Sequence, residues 1–410
     1  MKRTMIGLSA AVLALSLSAP AFAADHGHDG HGGRPGHGDG KFGRATLTGF
    51  ASLPAETYVP GSEPSGSALG TTPVNGIAAP FPGQPVQGFS GVLRRDDGSF
   101  DVLSDNGYGN KANSGDFLLR IQRIKPDFRS GAVKVIGGVN LSDPDRRVPF
   151  PLTRADRTLT GSDFDVESIV RDADGTYWIG DEFGPFLLHF SAKGKMLEAP
   201  ITLPGVQAPE NPYLNGAQPN LGGSKGFEGM ARSVDGRKLY PMLEGTVAGD
   251  PAGSLRINEF DLRKRSYTGR KWIYQLEAPS NAIGDMITVD ENRFLVIERD
   301  GAQGDAAALK KIYLIDVRDR DRDGKVDKTQ VVDLLDLANP KGLGGFGTTF
   351  RFPFVTIEDV VILDDSTLGV LNDNNFPGSS GRTPGKADNN EFITVRLSRP
   401  LGADPRATRC

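Results

Sequence analysis

Apolar and polar positions alternate in short runs along this chain, and long stretches of helical periodicity are rare. The runs are rich in β-branched or aromatic residues and end at turn residues, which is typical of β-strands. The clearest runs are 175–180, 292–298, 311–316, 367–372 and 391–397. Paired runs are separated by turns such as Asp97-Gly98 and Asp174-Gly175, which favour tight hairpins. The pattern therefore predicts an all-β chain.

Five hairpins repeat one arrangement, in which a polar or acidic residue opens the unit and an acidic residue follows 13 to 16 residues later. The opening residues are Ser90, Glu167, Glu228, Asp285 and Glu358, and the later ones are Asp105, Glu182, Glu244, Glu298 and Asp373. Each unit continues into a third strand, a repeat that indicates a β-propeller. Five repeats are visible, and a sixth blade has room within 126–160 or 200–225. We expect an N-terminal strand, 45–52, to join the last blade and close the ring.

The repeated acids predict a cation site. Because an antiparallel hairpin brings its beginning and its end to one edge of the sheet, each unit presents both polar residues on the same rim. A single acid at a strand end commonly caps a loop or pairs with arginine, but acids gathered on one rim repel unless a cation bridges them. Oxygen ligands from separate strands suit Ca²⁺, whose coordination is flexible. The predicted calcium ligands are Glu167, Glu228, Asp285 and Glu358.

A second calcium candidate is the segment 319–327, DRDRDGKVD. It matches the first half of the EF-hand loop, with acids at alternating positions followed by glycine. Gln330 stands where that loop ends in glutamate, and no flanking helices are predicted. We predict a calcium-stapled loop between strands, with a solvated charged turn as the alternative. Its ligands would be Asp319, Asp321, Asp323 and Asp327.

Residues 1–23 have the basic, apolar and small-residue regions of a secretory signal peptide. Residues 24–44 are rich in His and Gly and are predicted to be disordered, either as a flexible tail or as a loose metal-scavenging site. The predicted propeller domain covers 45–400, and 401–410 form a C-terminal tail. No other segment is long and apolar enough to span a membrane.

The net charge of −4, from 47 basic and 51 acidic residues without a basic run, argues against nucleic acid as a partner. Cys410 is the single cysteine, so the chain folds without a disulfide and its thiol is read as incidental. Export without disulfides fits a bacterial periplasmic or secreted protein. We expect a monomer that acts on a small molecule.

Several motifs, in order along residues 45–400, resemble the bacterial phytase-like domain family, described as having esterase-like activity of phytase. The motifs are Asp165-Val166-Glu167-Ser168-Ile169, Gly180-Asp181-Glu182-Phe183-Gly184-Pro185, Gly226-Phe227-Glu228-Gly229-Met230-Ala231, Val296-Ile297-Glu298-Arg299-Asp300 and Asn372-Asp373-Asn374-Asn375-Phe376. The resemblance implies a propeller-like exported protein with phosphoester or ester hydrolase activity.

Metal-assisted hydrolysis is the chemistry that the residues favour, because His189 is the single histidine of the domain and no Ser-His-acid triad or cysteine nucleophile is available. The sequence thus predicts a calcium-dependent hydrolase of phosphate esters, with metal-activated water attacking the phosphoryl group. The predicted catalytic acids are Glu182, Asp373 and Glu298. Two alternatives stay open, a calcium-dependent lactonase or carboxylesterase and a non-enzymatic binding propeller with structural calcium.

Overall fold

A computed structural model describes residues 41–408 of the chain. The predicted signal peptide, the His/Gly-rich segment up to residue 40 and Cys410 lie outside the described residues. Within 41–408 the regular structure is β-strand apart from short 3-10 turns at Ser67–Leu69, Gly304–Ala306 and Leu343–Gly345. The predicted all-β class is confirmed.

The strands follow one another in short steps, as the alternating runs predict. They are β1 (Thr46–Leu53), β2 (Phe89–Arg94), β3 (Phe100–Ser104), β4 (Arg120–Asp127), β5 (Ala132–Asn140), β6 (Val166–Arg171), β7 (Tyr177–Asp181), β8 (Phe186–Phe190), β9 (Ile201–Thr202), β10 (Phe227–Arg232), β11 (Lys238–Leu243), β12 (Ser254–Asp261), β13 (Ser266–Gln275), β14 (Ala282–Thr288), β15 (Arg293–Arg299), β16 (Lys310–Asp316), β17 (Asp327–Asp333), β18 (Leu337–Ala338), β19 (Thr349–Phe350), β20 (Asp359–Asp364), β21 (Thr367–Leu371) and β22 (Asn390–Arg396).

Consecutive strands pair antiparallel into groups of four: β2 to β5, β6 to β9, β10 to β13 and β14 to β17. A further group consists of β20, β21 and β22, and its fourth strand is β1 from the other end of the chain. β1 pairs antiparallel with β22 from Thr46 opposite Arg396 to Leu53 opposite Asn390. A single parallel bridge, Ser52 to Ala132, also links β1 to β5. The stretches 126–160 and 200–225 contribute β5 and β9 to these groups.

The first strands of the groups lie side by side. β2 packs against β6, β6 against β10, β10 against β14, β14 against β20, and β20 against β2. The acidic residues that open the repeated hairpins therefore come from neighbouring strands.

The core lies between neighbouring groups. Five clusters of buried apolar side chains each draw on two adjacent groups, as when Leu103 and Ile121 pack with Ile169 and Ile179. A sheet can bury its apolar faces only against another element, so each group needs both of its neighbours. A smaller cluster forms where the long connection between β1 and β2, residues 54–88, packs on Tyr108 and Phe376. Within the described residues, no helix is long and apolar enough to cross a membrane.

Candidate functional site

β-Bulges lie near the start of the first strands of four groups, β2, β6, β10 and β14, and decide which side chains point toward the neighbouring groups. In β6 the pairing with β7 skips from Val166 to Ser168, and Glu167 is the extra residue. In β10 the extra residue is Glu228, between Phe227 and Gly229. A bulge bends the strand and re-aims the inserted side chain, and such bulges are frequent beside active sites.

The bulged acids meet the acids that follow the second strands. Carboxylate oxygens of Asp165, Glu167 and Glu182 lie within 4.8 Å of one another, and so do those of Glu182, Glu228 and Glu244. We call these five residues the central acid cluster; Glu182 belongs to both triads. All five side chains are buried. The structure thus brings the predicted residues Glu167, Glu182 and Glu228 into one site.

Three more acids lie at the edge of the cluster. Glu358 accepts hydrogen bonds from Ser90 Oγ at 3.0 Å and from Arg299 Nη2 at 2.9 Å. Asp373 accepts one from Thr356 Oγ1 at 3.1 Å, and Asp105 accepts one from the Gly107 N–H at 2.8 Å. The charge of Asp105 acts on Asp373, and the charge of Asp165 acts on Asp105.

Two cations contact these acids in the described part of the chain. Arg299 Nη2 lies 3.5 Å from Glu228, 3.3 Å from Glu244 and 2.9 Å from Glu358. Lys225 pairs with Glu244. Two positive charges cannot balance the eight carboxylates of the cluster and its edge, so the site has a large deficit of positive charge when those groups are ionised.

Burial and mutual repulsion shift the protonation of the site. Burial first, and then the neighbouring carboxylates, hold the pKa values of Glu167, Glu182 and Glu228 well above their usual range. Burial and the charge of Asp165 raise the pKa of Asp105 to about 8. Burial and the charge of Asp105 likewise raise the pKa of Asp373 well above its usual range. Around neutral pH these groups must either hold protons or share a cation.

Two carboxylate oxygens of the cluster are fully buried and form no hydrogen bond with the described residues. They are Glu182 Oε1 and Glu228 Oε1. Buried polar atoms are almost always satisfied, so carboxylate oxygens that lack hydrogen bonds and lie among other carboxylates indicate a cationic ligand. Arg299 Nη2, 3.5 Å from Glu228 Oε1, meets only part of that demand. Hard oxygen donors in this number fit Ca²⁺. No Cys or His belongs to the cluster, so zinc has little support.

Asp285 and Glu298 are not brought into the cluster, and the register explains why. In β14 the bulge falls between Ile283 and Asp285, so Gly284 occupies the position that Glu167 and Glu228 hold in their strands. Ile283 pairs with Glu298, and the next residue, Arg299, takes the place of Glu182 and Glu244. The sequence-based alignment of this hairpin with the other four was therefore wrong by one residue at both positions: Gly284 rather than Asp285 matches Glu167, and Arg299 rather than Glu298 matches Glu182.

Both displaced acids are satisfied by structural donors. Asp285 accepts a hydrogen bond from the Val360 N–H of the neighbouring strand at 3.0 Å. Glu298 is fully buried and accepts hydrogen bonds from Tyr274 Oη at 2.7 Å and Asn281 Nδ2 at 2.8 Å, and it also pairs with Lys328. These contacts give Asp285 and Glu298 structural roles in place of the predicted metal-binding and catalytic ones.

Two ligand candidates were not predicted as such from the sequence: Glu244, which was noted only as a repeated acid, and Asp165, which the repeat did not include. Asp165 lies in the turn before β6, and its carboxylate accepts hydrogen bonds from Asn106 Nδ2 at 2.7 Å and Ser224 Oγ at 2.8 Å. Its position two residues before Glu167 was the available signal, because alternate residues of an extended chain share a face.

The segment predicted to be a calcium loop connects β16 to β17, and Asp327 is the first residue of β17. Carboxylate oxygens of Asp319, Asp321 and Asp327 converge within 4.8 Å, but Asp323 is not part of that group. Asp323 Oδ1 instead accepts the Lys325 N–H at 2.8 Å. Asp319 Oδ1 is buried without a hydrogen-bond partner among the described residues. Three of the four predicted ligands therefore lie close enough together to share one ion.

An apolar cleft of about 290 Å³ adjoins the acids. Its walls include Leu69, Val74 and Ile77 on one side and Tyr108, Phe376 and Pro377 on the other, and Asp105 reaches its lining. A cavity of about 500 Å³ lies at the other ends of the first strands and is lined by Arg94, Arg171 and Arg232. The lining of that second cavity starts two residues beyond Glu167, Glu228 and Glu358 and includes none of the acids of the cluster or its edge, whereas the lining of the apolar cleft includes Asp105.

Comparison with known proteins gives a family and one distant relative. The family model described as "Phytase-like: Esterase-like activity of phytase" matches residues 84–376, more than two thirds of the chain. An uncharacterized secreted protein of Arthroderma benhamiae is 26% identical over 235 residues, covering 45% of this chain and 43% of the relative. The chain thus spans less than half of that relative's length.

Similar solved structures are remote. A luciferin-regenerating enzyme aligns with a TM-score of 0.36 at 13% identity, covering 76% of this chain and 78% of its own. A protein of unknown function from Dyadobacter fermentans aligns with a TM-score of 0.40 at 10% identity, covering 78% of both chains.

Proposed function

The chain belongs to the phytase-like family, described by its esterase-like activity of phytase, and from this premise we propose that it is an exported, calcium-dependent hydrolase of phosphate esters. The observation that carries the proposal is the central acid cluster with two buried carboxylate oxygens that form no hydrogen bond with the described residues. The resemblance to a secreted relative and the predicted signal peptide support export to the periplasm or the exterior.

The proposed architecture is a five-bladed β-propeller whose ring is closed by β1. The pairing of β1 with β22 and the packing of β20 against β2 support it. In such a ring the first strands surround the axis. The central acid cluster would then lie at one end of the axial channel.

The residues proposed to hold calcium are the triads Asp165, Glu167, Glu182 and Glu182, Glu228, Glu244. Glu358 adds negative charge at their edge but is already paired with Ser90 and Arg299. A bound Ca²⁺ would polarise a phosphoryl oxygen and lower the pKa of water. Asp319, Asp321 and Asp327 are proposed as a separate, structural calcium site.

Asp373 is the best placed proton acceptor. Its neighbours Asn375 and Phe376 line the cleft. Burial and neighbouring carboxylates raise its pKa and so make its ionised form a stronger base, and a cation bound in the cluster would favour that ionised form before reaction. Glu182 is better explained as a shared ligand, because it belongs to both triads. In the proposed hydrolysis a water oxygen bonds to phosphorus as the bond from phosphorus to the ester oxygen breaks. Asp373 takes the proton of the water, and the departing alcohol is protonated by solvent.

A carboxylesterase or lactonase is the second candidate. The observation that favours it is the lining of the apolar cleft, which includes no lysine or arginine among the described residues to hold a free phosphate dianion. A third possibility is a binding propeller in which calcium is structural. Hydrolysis assays separate the three.

The test is an assay of the calcium-loaded protein on p-nitrophenyl phosphate and p-nitrophenyl acetate, with and without EGTA. Glu228→Gln removes one ligand charge without changing size and should lower activity by at least about a hundredfold. Glu56→Gln, at an exposed position, is the matched control and should leave activity unchanged. Full activity of Glu228→Gln would refute the site. Activity on p-nitrophenyl acetate alone would favour the carboxylesterase. Absence of activity on both esters would favour the binding protein.

A further inference from the structure

The apolar cleft beside the acids is built from two parts of the chain. One wall comes from the connection between β1 and β2 and includes Leu69, Val74 and Ile77. The other includes Tyr108 and the turn at Phe376. Asp105 reaches the lining and is coupled through its charge to Asp165 and Glu358. The cleft therefore adjoins the acids at the edge of the central acid cluster through Asp105.

The walls are held in place before any ligand arrives. Asn75 Nδ2 donates to the carbonyl oxygens of Pro377 and Gly378, both at 2.8 Å, which ties one wall to the other. Behind them the rings of Phe81 and Phe376 pack at 4.9 Å. Tyr108 Oη is hydrogen-bonded to Ser65 Oγ at 2.7 Å, so the hydroxyl of this wall residue already has a partner. A preformed apolar cleft loses little entropy on binding.

The charge of the cleft restricts what it can hold. Asp105 is the one acid among its described lining residues, and none of those residues is lysine or arginine. A polyphosphorylated polyol would bring several charges into a lining that has no cation to meet them, and burying an unpaired charge is costly. An aromatic or branched aliphatic group would instead gain by leaving water.

We propose that the cleft binds the uncharged, apolar part of the substrate, so that the preferred substrates are monoesters of aromatic or branched aliphatic groups rather than polyphosphorylated polyols. The proposal rests on the proposed ester hydrolysis for the bond that reacts. The volume of about 290 Å³ is at the lower end for ligand pockets and fits a group of about one or two rings.

Val74 provides the test, because it lines the cleft and is 44% exposed, so its replacement does not disturb a core. Val74→Asp places a charge in the cleft and should raise KM for 1-naphthyl phosphate and 1-naphthyl acetate by about tenfold or more, with kcat little changed. The matched control is Ile136→Asp on β5, where the side chain is 48% exposed and does not line the cleft. Val74→Leu should behave like the native protein.

Binding of 1-naphthol, measured by calorimetry without calcium, separates this proposal from the proposed function. One outcome is that no ester is hydrolysed but 1-naphthol binds, and that Val74→Asp abolishes this binding whereas Ile136→Asp does not. That outcome would refute the proposed hydrolase and support the apolar binding site. If Val74→Asp leaves both KM and 1-naphthol binding unchanged, the apolar site is refuted. Hydrolysis of inositol hexakisphosphate with a higher kcat/KM than 1-naphthyl phosphate would also refute it.

Discussion

Glu182 and Glu228 show that the role of a buried glutamate depends on its hydrogen-bond partners more than on its residue type. Both are buried carboxylates, as is Glu298, yet Glu298 is surrounded by donors whereas Glu182 Oε1 and Glu228 Oε1 form no hydrogen bond with the described residues. The first arrangement stabilises a charge, and the second calls for either a proton or a cation. The same side chain thus has a structural role in one strand and a proposed binding role in another.

The raised pKa values predict an unusual dependence of stability on pH for the calcium-free protein. Asp105, with a pKa of about 8, and Asp181 and Asp285, with pKa values of about 7, bind protons more tightly in the folded chain than in the unfolded chain, where aspartate titrates near 3.9. Between about pH 4 and pH 8 the folded state therefore holds more protons, and its stability falls as pH rises. Calorimetric unfolding in EGTA should give a lower Tm at pH 8 than at pH 5.5.

Two measurements test whether these buried acids cause the pH dependence of stability. Asp105→Asn should reduce the slope of Tm against pH, because the amide cannot titrate. Added calcium should restore Tm most strongly at pH 8, where protons no longer compete for the ligands. A calcium-free Tm that rises from pH 5.5 to pH 8 would contradict the assignment of these buried acids.

At the residue level the sequence predicted much of the site, and it failed for definite reasons. The recurrence of acids at both ends of the hairpins identified Glu167, Glu182, Glu228, Glu358 and Asp373, which the structure brings to the cluster or its edge. It failed for the fourth hairpin because Glu298 and Arg299 are adjacent and both charged. Which of the two faces the cluster depends on a bulge, and hydropathy does not reveal a bulge.

At the scale of the strands, the bulge in β14 also fixes a packing requirement. A Cβ atom on Gly284 would lie 1.9 Å from the carbonyl oxygen of Ile357, in the segment before β20. The close approach of β14 to β20 therefore needs glycine at this position, and any side chain would push the two groups apart.

Gly284→Ala should lower the free energy of unfolding by about 1–3 kcal/mol through overpacking. Gly301→Ala is the matched control, because a Cβ there would meet nothing within 4 Å and its backbone is not left-handed. Urea unfolding followed by circular dichroism measures both. Equal urea midpoints for Gly284→Ala and Gly301→Ala would contradict the prediction, because β14 and β20 could then move apart without loss of stability.

The inner hairpins and third strands were predictable because their alternation is strong, whereas the outer strands were not. β13 runs from Ser266 to Gln275 with mostly exposed or half-buried residues and carries Thr268, Arg270 and Lys271. A strand with one solvent-facing edge has a weak hydrophobic period. Pairing with β12 holds it in the sheet.

At the scale of the molecule, calcium is expected to stabilise the fold as a whole, because the central acid cluster draws ligands from β6 and β10 and from the residues that follow β7 and β11. A ligand that binds the folded state alone adds about 2.7 kcal/mol when its free concentration is a hundred times Kd. Calorimetry in EGTA and then in excess Ca²⁺ should show a clear rise in Tm, with a smaller effect for Mg²⁺.

Variants separate the two proposed calcium sites in that measurement. Glu228→Gln should remove the part of the rise in Tm that accompanies activity, and Asp321→Asn the part due to the loop between β16 and β17. A Tm insensitive to calcium in the native protein would contradict both sites.

The pairing of β1 with β22 joins residues near the two ends of the described chain, from Thr46 opposite Arg396 to Leu53 opposite Asn390. During synthesis β1 is made before the other strands of the described residues and cannot pair with β22 until those between them have been made. Contacts so distant along the chain form slowly. The last group of strands would therefore stay open while the intervening strands are made, so its completion is expected to be a late step of folding.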